Sequence, residues 1–427
     1  MTTGVVTLLA IFAVTVLLDI PIAFGLALAS VGYLLIFETA PLMVAAQQLV
    51  AGLDSFTLLA IPLFLLAAQL MNSAGLTDRI IRLCSALVGD VKGGLAIVVV
   101  LASMLFGALS GSGVADVVAI GSVTLPAMYR SGYGKGFSCA LLGCAGSLGT
   151  VIPPSIVMIV YGTTTNTSVG RLFLGGVVPG ILLGTALIAV AIWQSRRHGW
   201  AGGEAFDAHR LVVAFKDALP ALMVPVLIIG GIRFGIFTAT EAASSAIVYA
   251  LLVGFLIYRQ LDWTTIWQCL KRTGETSASI LLIVGSAGLF AWILVSEQVP
   301  QSLAQLLAQW TSSATAVLLV ITAVLLILGT FMETIAIIII VAPVVMPAIQ
   351  RFGIDPVHFG ILLTINLAIG ANTPPLGVDL MAACRIGNIS MMDTLKPLAP
   401  MLGAMLLVLL LVMFVPEIAL FLPRRME

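Results

Sequence analysis

Residues 145–155 read AGSLGTVIPPS and residues 366–376 read NLAIGANTPPL, and one constant shift of 221 positions lays the first on the second. Gly149 falls on Gly370, Pro153 on Pro374 and Pro154 on Pro375. Without a gap, the same shift carries Pro126, Ala127, Arg130 and Gly132 onto Pro347, Ala348, Arg351 and Gly353, and Pro179 onto Pro400. A glycine followed by a Pro-Pro pair cannot continue an α-helix, because the rings clash with the preceding turn and an N–H is missing. Inside a bilayer the freed backbone groups are tolerated only where protein or a water-filled cavity receives them. Two such breaks at matching positions of two half-chains point to the binding site of a secondary transporter.

Composition places those breaks in a membrane. Of 427 residues, 60% are hydrophobic and 9% charged, against about a quarter charged in a soluble domain. Uncharged runs such as 136–170, 172–195 and 298–332 reach or exceed the roughly 20 residues needed to cross hydrocarbon. The N-terminal stretch has neither a basic leader nor a small-residue cleavage site, so it reads as a first membrane helix. The net charge is zero, which gives no sign of a nucleic-acid partner. The five cysteines form no C-x-x-C pair and the three histidines do not cluster. They are therefore expected to be packing residues, with no cofactor and no redox or zinc site. No G-x-x-x-x-G-K-[ST] run is present, so ATP is not the expected energy source. No nucleophile–base set suggests an enzyme either.

The chain divides into a first repeat over 1–195, a polar connecting loop over 196–217 and a second repeat over 218–427. In the first repeat, spans are expected near 4–18, 21–37 and 55–74, with interfacial helices at about 41–52 and 77–88. A hairpin follows at about 93–130, then a broken helix at about 136–163 and a span over 172–195. The second repeat carries spans near 218–236, 240–258 and 276–296 and an amphipathic piece at 299–311. A hairpin at about 313–350, a broken helix at about 356–384 and a last span at 397–420 complete it. Each hairpin arm is only about 26 Å long at 1.5 Å per residue, at or just below the length of a crossing. The midpoints, SGSG at 110–113 and LGTFMET at 328–334, are small or hydroxyl-bearing. Re-entrant hairpins whose tips meet the breaks at mid-membrane are therefore preferred over paired crossings.

Basic residues orient the halves. Arg79, Arg82, Lys92, Arg130 and Lys135 surround the base of the first hairpin, whereas Arg351 alone flanks the second. The Lys/Arg excess marks the cytoplasmic side. The first hairpin then opens inward, the second outward, and the loops 196–217 and 259–272 lie inside. The fold class expected is an all-α polytopic protein of two inverted-topology repeats.

The stretches FGALSGSGVADVVAIGSVTLPAM (106–128), GTVIPPS (149–155) and GIDPVHFGILLTINLAIGANTPPLGVDLM (353–381) resemble the large membrane subunit of tripartite ATP-independent periplasmic (TRAP) transporters. The resemblance covers nearly the whole chain. It implies sodium-driven uptake of organic acids, of the dicarboxylate, keto acid or sialic acid class, across the bacterial inner membrane. The partners it implies are a periplasmic substrate-binding protein and a small four-helix membrane subunit, and the motion it implies is an elevator. A self-sufficient sodium- or proton-coupled carboxylate transporter of the same wider fold is the alternative. Three positions depart from the family's pattern: SGSG at the first tip in place of SGSS, Glu333 where aspartate is usual, and Asp379 where asparagine is frequent.

A hard cation wants oxygen ligands, which unwound carbonyls and helix C-terminal ends supply. The first sodium site is expected to join Ser110, Gly111 and Ser112 at the tip with Ser147, Gly149, Thr150 and Ser155 at the break. The second joins Gly329, Thr330 and the Met332 backbone with Gly370, Ala371 and Thr373. Asp116 and Asp379 are supporting acids, open to either ion binding or bracing of the tips, since a charge at mid-membrane must face a partner or a cavity. An anionic substrate is expected to meet free N–H groups near Pro154–Val157 and Pro375–Val378 and the side chains of Ser155, Asn372 and Thr373. Glu333 is expected to face the outer vestibule and Arg385 to anchor the cytoplasmic end of its helix.

The re-entrant reading makes a labelling prediction. With the native cysteines removed, single cysteines beside Lys92 and Arg130 should both label from the cytoplasm, and one beside Arg351 from outside. A cysteine at Gly111 should label slowly from either side; fast labelling from the outer bath alone, in every state, would mean two ordinary crossings.

Overall fold

A computed structural model describes residues 3–200 and 206–426, and these are helical with no strand among them. In the first half the helices are α1 (Thr3–Leu17), α2 (Ile22–Phe37), α3 (Leu42–Ala51), α4 (Ala60–Ser73), α5 (Leu76–Val88), α6 (Gly94–Ser110), α7 (Gly113–Arg130), α8 (Lys135–Gly146), α9 (Ile156–Thr165) and α10 (Val169–His198). In the second they are α11 (Ala208–Arg233), α12 (Ala239–Leu252), α13 (Trp263–Ser296), α14 (Val299–Trp310), α15 (Ala314–Gly329), α16 (Thr334–Arg351), α17 (Pro356–Gly370), α18 (Val378–Gly387), α19 (Leu395–Phe414) and the single turn α20 (Glu417–Leu420). Both ends of α7 and α16 lie 221 positions apart, as do the starts of α8 and α17. The offset seen in the Pro-Pro motifs is thus kept by the helix boundaries around them.

Three expectations change. The polar loop at 196–217 is largely helical: Arg196, Arg197 and His198 form the last turn of α10, where cations suit the negative end of the helix dipole. Asp207 opens α11 by accepting the His209 N–H at 2.9 Å, and residues 201–205 lie outside the described residues. The stretch 259–272 is helical from Trp263 onward, because Asp262 caps it through the Thr265 N–H at 2.7 Å. The resulting 34-residue α13 is about 50 Å long, well beyond a bilayer's apolar thickness. The last span stops at Phe414, where Val415 turns out of the helix and Pro416 follows.

By length and apolar character, seven helical segments among the described residues can cross a membrane, and one of them is α16. The partner arms are shorter, with 17 residues in α6 and 16 in α15. Length therefore does not separate a re-entrant arm from a crossing one; the contacts of the tips bear on it more directly.

The helices pack in two groups. In one, α1 lies on α2, α2 and α3 on α13, α4 on α12 and α13, and α11 on α12. In the other, α6 packs on α7, α8 and α10, α18 on α7 and α8, α15 on α17, and α10 and α17 on α19. All five cysteines are free and buried in this packing, in keeping with their apolar surroundings in the sequence. His358, beside the start of α17, donates to the Val412 carbonyl at 2.9 Å. That carbonyl belongs to the last turn of α19, where intrahelical donors run out.

The amphipathic α5 bridges the groups, packing on both α6 and α11. Its anchor is Arg79, whose side chain is 10% exposed and pairs with Asp217 of α11 at 3.2 Å. The same guanidinium donates to the Gly75 carbonyl at 2.8 Å and stacks 3.6 Å from the Tyr258 ring centre. Tyr258 in turn donates its hydroxyl to the Asp217 carbonyl at 2.7 Å. Arg79→Ala should lower stability by about 1–3 kcal/mol, read as a lower melting temperature of the purified protein. Arg79→Lys should rescue little, because an ammonium lacks both the planar stacking face and the fork of donors.

Candidate functional site: two hairpin tips against two helix breaks

Each hairpin tip is bonded to a break through the backbone. At the first, α6 ends on Ser110, Gly111 adopts a left-handed conformation (φ +64°) and Ser112 is extended before α7 begins. The Gly111 carbonyl then accepts the N–H of Ile156, the first residue of α9, at 3.2 Å. At the second tip the Thr330 carbonyl accepts the Leu376 N–H at 3.1 Å. Both Pro-Pro bonds, 153–154 and 374–375, are cis. Glycines let the backbones approach. A Cβ built on Gly107 would sit 2.7 Å from the Gly149 Cα, and one on Gly329 would sit 3.1 Å from the Gly370 Cα.

The two acids converge on the first tip. Asp116 is fully buried, and its Oδ1 takes the Ser110 hydroxyl in a hydrogen bond that closes the turn. Its Oδ2 has no partner and lies over Gly149, where a Cβ would come within 2.1 Å of it. Asp379, 3% exposed, also has an unpartnered Oδ2. That oxygen would be 2.4 Å from a Cβ on Gly113. The acid that follows the second break thus addresses the first hairpin. The pair is not related by the 221-residue offset, which carries Asp116 onto Ile337. Among the described residues neither acid takes part in an ion pair.

The hydroxyls expected at the breaks have already given their protons away. Ser147 donates to the Cys144 carbonyl at 2.8 Å, Thr150 to Ser147 at 2.7 Å and Ser155 to Thr150 at 2.5 Å. In the second half Thr330 donates to Ile327 at 2.7 Å and Thr373 to Ile369 at 2.8 Å. Asn372, fully buried, spends an N–H on the Ala368 carbonyl at 2.9 Å. With these protons committed, Ser155 and Thr373 present no free hydroxyl donor to an anionic substrate, whereas Asn372 keeps the second N–H of its amide. The expectation that the N–H groups of Ile156 and Leu376 are free is corrected as well, since the tips hold them. A hydroxyl whose proton is committed keeps lone pairs, and a carbonyl with one hydrogen bond keeps a second. Oxygens so arranged suit a cation better than an anion.

A cavity of about 240 Å³ lies where the tips, the breaks and α13 meet. Of the residues singled out in the sequence, Gly111, Ser112, Thr150, Ala371 and Asp379 line it. Ser110, Ser147, Ser155, Gly149 and Gly370 are buried and are not on its wall. Neither are Gly329, Thr330, Met332, Asn372 and Thr373, while Pro375 is exposed elsewhere. Glu333, expected in the outer vestibule, lines the cavity as well, and the sequence reading missed Thr276, Ile280 and Thr334 on this wall. The signal was present in Glu275, Thr276, Ser277 and Ser279, a polar run at the start of the span expected at 276–296. Glu333 does more than face a vestibule: its Oε2 caps α16 by accepting the Ile335 and Ala336 N–H groups at 3.0 and 3.2 Å. It also lines an adjoining open depression of about 350 Å³. Arg385 lies in the last turn of α18, away from this cavity, in a depression with Asn388. A larger cavity, about 950 Å³ between α5, α6 and α11, holds no tip or break residue. Volume alone does not mark the site.

No group of three or more His, Cys, Asp or Glu residues positioned to hold a metal occurs among the described residues. The close glycine contacts set a prediction. Gly149→Ala and Gly370→Ala should each cost about 1–3 kcal/mol through overpacking and suppress transport, measured as melting temperature and as uptake by the reconstituted system.

A family model of the tripartite ATP-independent periplasmic transporter, DctM component, matches residues 9–418. The isethionate TRAP transporter permease protein DctMQ of Oleidesulfovibrio alaskensis is 41% identical over 412 residues, which cover 96% of this chain and 65% of that protein. The chain thus spans about two thirds of that relative's length. The C4-dicarboxylate TRAP transporter large permease protein DctM of Pseudomonas aeruginosa is 40% identical and covered to 91%, as is this chain. Among solved structures, the YdaH transporter of Alcanivorax borkumensis, described as having an unusual topology, aligns with a TM-score of 0.65. That alignment covers 98% of this chain and 99% of YdaH at 15% identity, a likeness of fold. A helical membrane chain with two hairpin tips packed on two helix breaks, matched over almost its full length by this family, belongs to the DctM component of the tripartite ATP-independent periplasmic transporters, multi-pass transport proteins of the bacterial inner membrane and not enzymes.

Proposed function

We propose that the chain is the translocating subunit of a sodium-coupled system that imports an organic acid handed over by a periplasmic binding protein, with a small four-helix membrane subunit beside it. The observation that carries the reading is the pair of buried carboxylate oxygens, on Asp116 and Asp379, that lack partners beside carbonyl-rich breaks. A buried carboxylate without a partner is costly, and a cation received there relieves the cost. Around Asp116 the ligands on offer are the carbonyls of the Ser147–Thr150 turn and the Ser110–Ser112 tip. Around the second break they are the carbonyls of Gly329, Thr330, Gly370 and Ala371. The names of the relatives, for isethionate and C4-dicarboxylate, support a small organic anion as cargo.

The motion we propose is an elevator. The two halves are inverted repeats, and the tips and breaks travel together past the group formed by α1–α4 and α11–α13. The Gly111–Ile156 and Thr330–Leu376 backbone bonds support this, since pulling a tip from its break would strip both partners in a medium without water. Each sodium ion entering across 100 mV yields about 2.3 kcal/mol, and a tenfold gradient adds about 1.4. In proteoliposomes holding both membrane subunits and the binding protein, uptake should follow an imposed sodium gradient and vanish when the binding protein is omitted. Uptake driven by a proton gradient alone would overturn the coupling. Robust sodium-driven uptake by this chain alone would favour the self-sufficient transporter.

A further inference from the structure

The central cavity carries hydroxyls of a second kind. The break hydroxyls back-bond to their own helices, the common fate of Ser and Thr in apolar helices. Three on the cavity wall do not: Ser112 at the first tip, Thr334 at the start of α16, and Thr276 on α13. No hydrogen bond of their side-chain oxygens to protein occurs among the described residues, and none of the three residues is buried. They come from three elements far apart in sequence yet border one chamber of about 240 Å³. Thr276 belongs to the helix group on which the tips pack, not to a tip or a break.

The charges around that chamber are one-sided. Asp379 and Glu333 line it, and no Lys, Arg or His does. An acidic group entering here finds no cationic side chain, so its side-chain donors have to be hydroxyls. A hydroxyl that donates to an anionic oxygen makes a charge-assisted bond, stronger than one between neutral groups. We propose that Thr276 of α13, together with Ser112 and Thr334, forms a three-hydroxyl subsite that binds the acidic group of a small organic mono-acid. A second acidic group on the same molecule would be confined with the Glu333 and Asp379 carboxylates. The volume equals that of about eight waters at roughly 30 Å³ each, which fits an acid of a few carbons. This assignment rests on the transport reading above and sharpens it: one contact comes from the helix group the elevator moves past, so specificity is set partly outside the moving body.

The test uses the full chain in lipid nanodiscs, with lactate and succinate as probes and sodium or choline as the cation, read as thermal stabilisation against acid concentration. Lactate should stabilise in sodium at lower concentration than succinate. Thr276→Val, nearly the same shape without the donor, should raise the half-saturating lactate concentration about tenfold. The sodium concentration for half-maximal effect should stay where it was. Thr276→Ser should recover most of the affinity, and Thr334→Val should act in the same direction as Thr276→Val. A Thr276→Val protein with unchanged lactate binding, or succinate binding as tightly as lactate, overturns the subsite while leaving sodium-coupled transport standing. No response to either acid in sodium would also overturn the subsite, whereas the transport reading stands or falls on sodium-driven uptake by the reconstituted three-component system.

Discussion

Backbone polar groups inside a bilayer have no water to turn to, and this requirement organises the protein. Two helices are interrupted at Pro-Pro pairs, and each interruption releases N–H and C=O groups that the apolar surroundings will not solvate. The hairpin tips take up part of that need. The Gly111 carbonyl receives the Ile156 N–H and the Thr330 carbonyl receives the Leu376 N–H, so each turn and each break satisfies the other. Such contact requires main chains close to van der Waals distance, which explains glycine at 107, 149, 329 and 370. A side chain at any of these positions would hold tip and break apart and leave both polar.

The same economy sorts the side chains into roles. Hydroxyls in the breaks donate to nearby carbonyls and so hold no proton for a ligand. Two carboxylates add unpartnered oxygens there, one of them reaching across from the second break to the first tip. Acceptors gathered without cations are an environment for a small hard cation. Hydroxyls with uncommitted protons occur on the wall of the neighbouring cavity, where an anion has use for them. On the proposed reading, cation and anion surroundings lie side by side, the arrangement that coupled binding of the two calls for.

Much of the fold was legible in the chain because its cause is local. A Pro-Pro pair breaks a helix wherever it stands, so both breaks could be read from the residues alone, and the 221-residue offset that matched them also matched the bounds of α7 and α16. The loops at 196–217 and 259–272 were misread because charge was taken as a sign of irregular structure. Asp207 and Asp262 cap helices there, and Arg196 and Arg197 end one favourably. Polar residues beyond the membrane edge can prolong a helix, and composition does not separate that case from a loop.

The sequence by itself determined that this is a helical membrane protein with two interrupted helices, and which glycines and serines stand at the interruptions, because proline sterics and hydrocarbon length act on neighbours along the chain. Only the tertiary structure decided which polar atoms remain open. Whether Thr373 has a free donor depends on a carbonyl one turn away, and a sequence does not say which way a side chain turns. That Asp379 faces the first hairpin rather than its own break, and that Thr276 joins a wall with Ser112 and Thr334, depends on how separate helices pack. Those contacts join residues 58 to 266 positions apart, fixed by the fit of apolar surfaces across the whole molecule rather than by any motif.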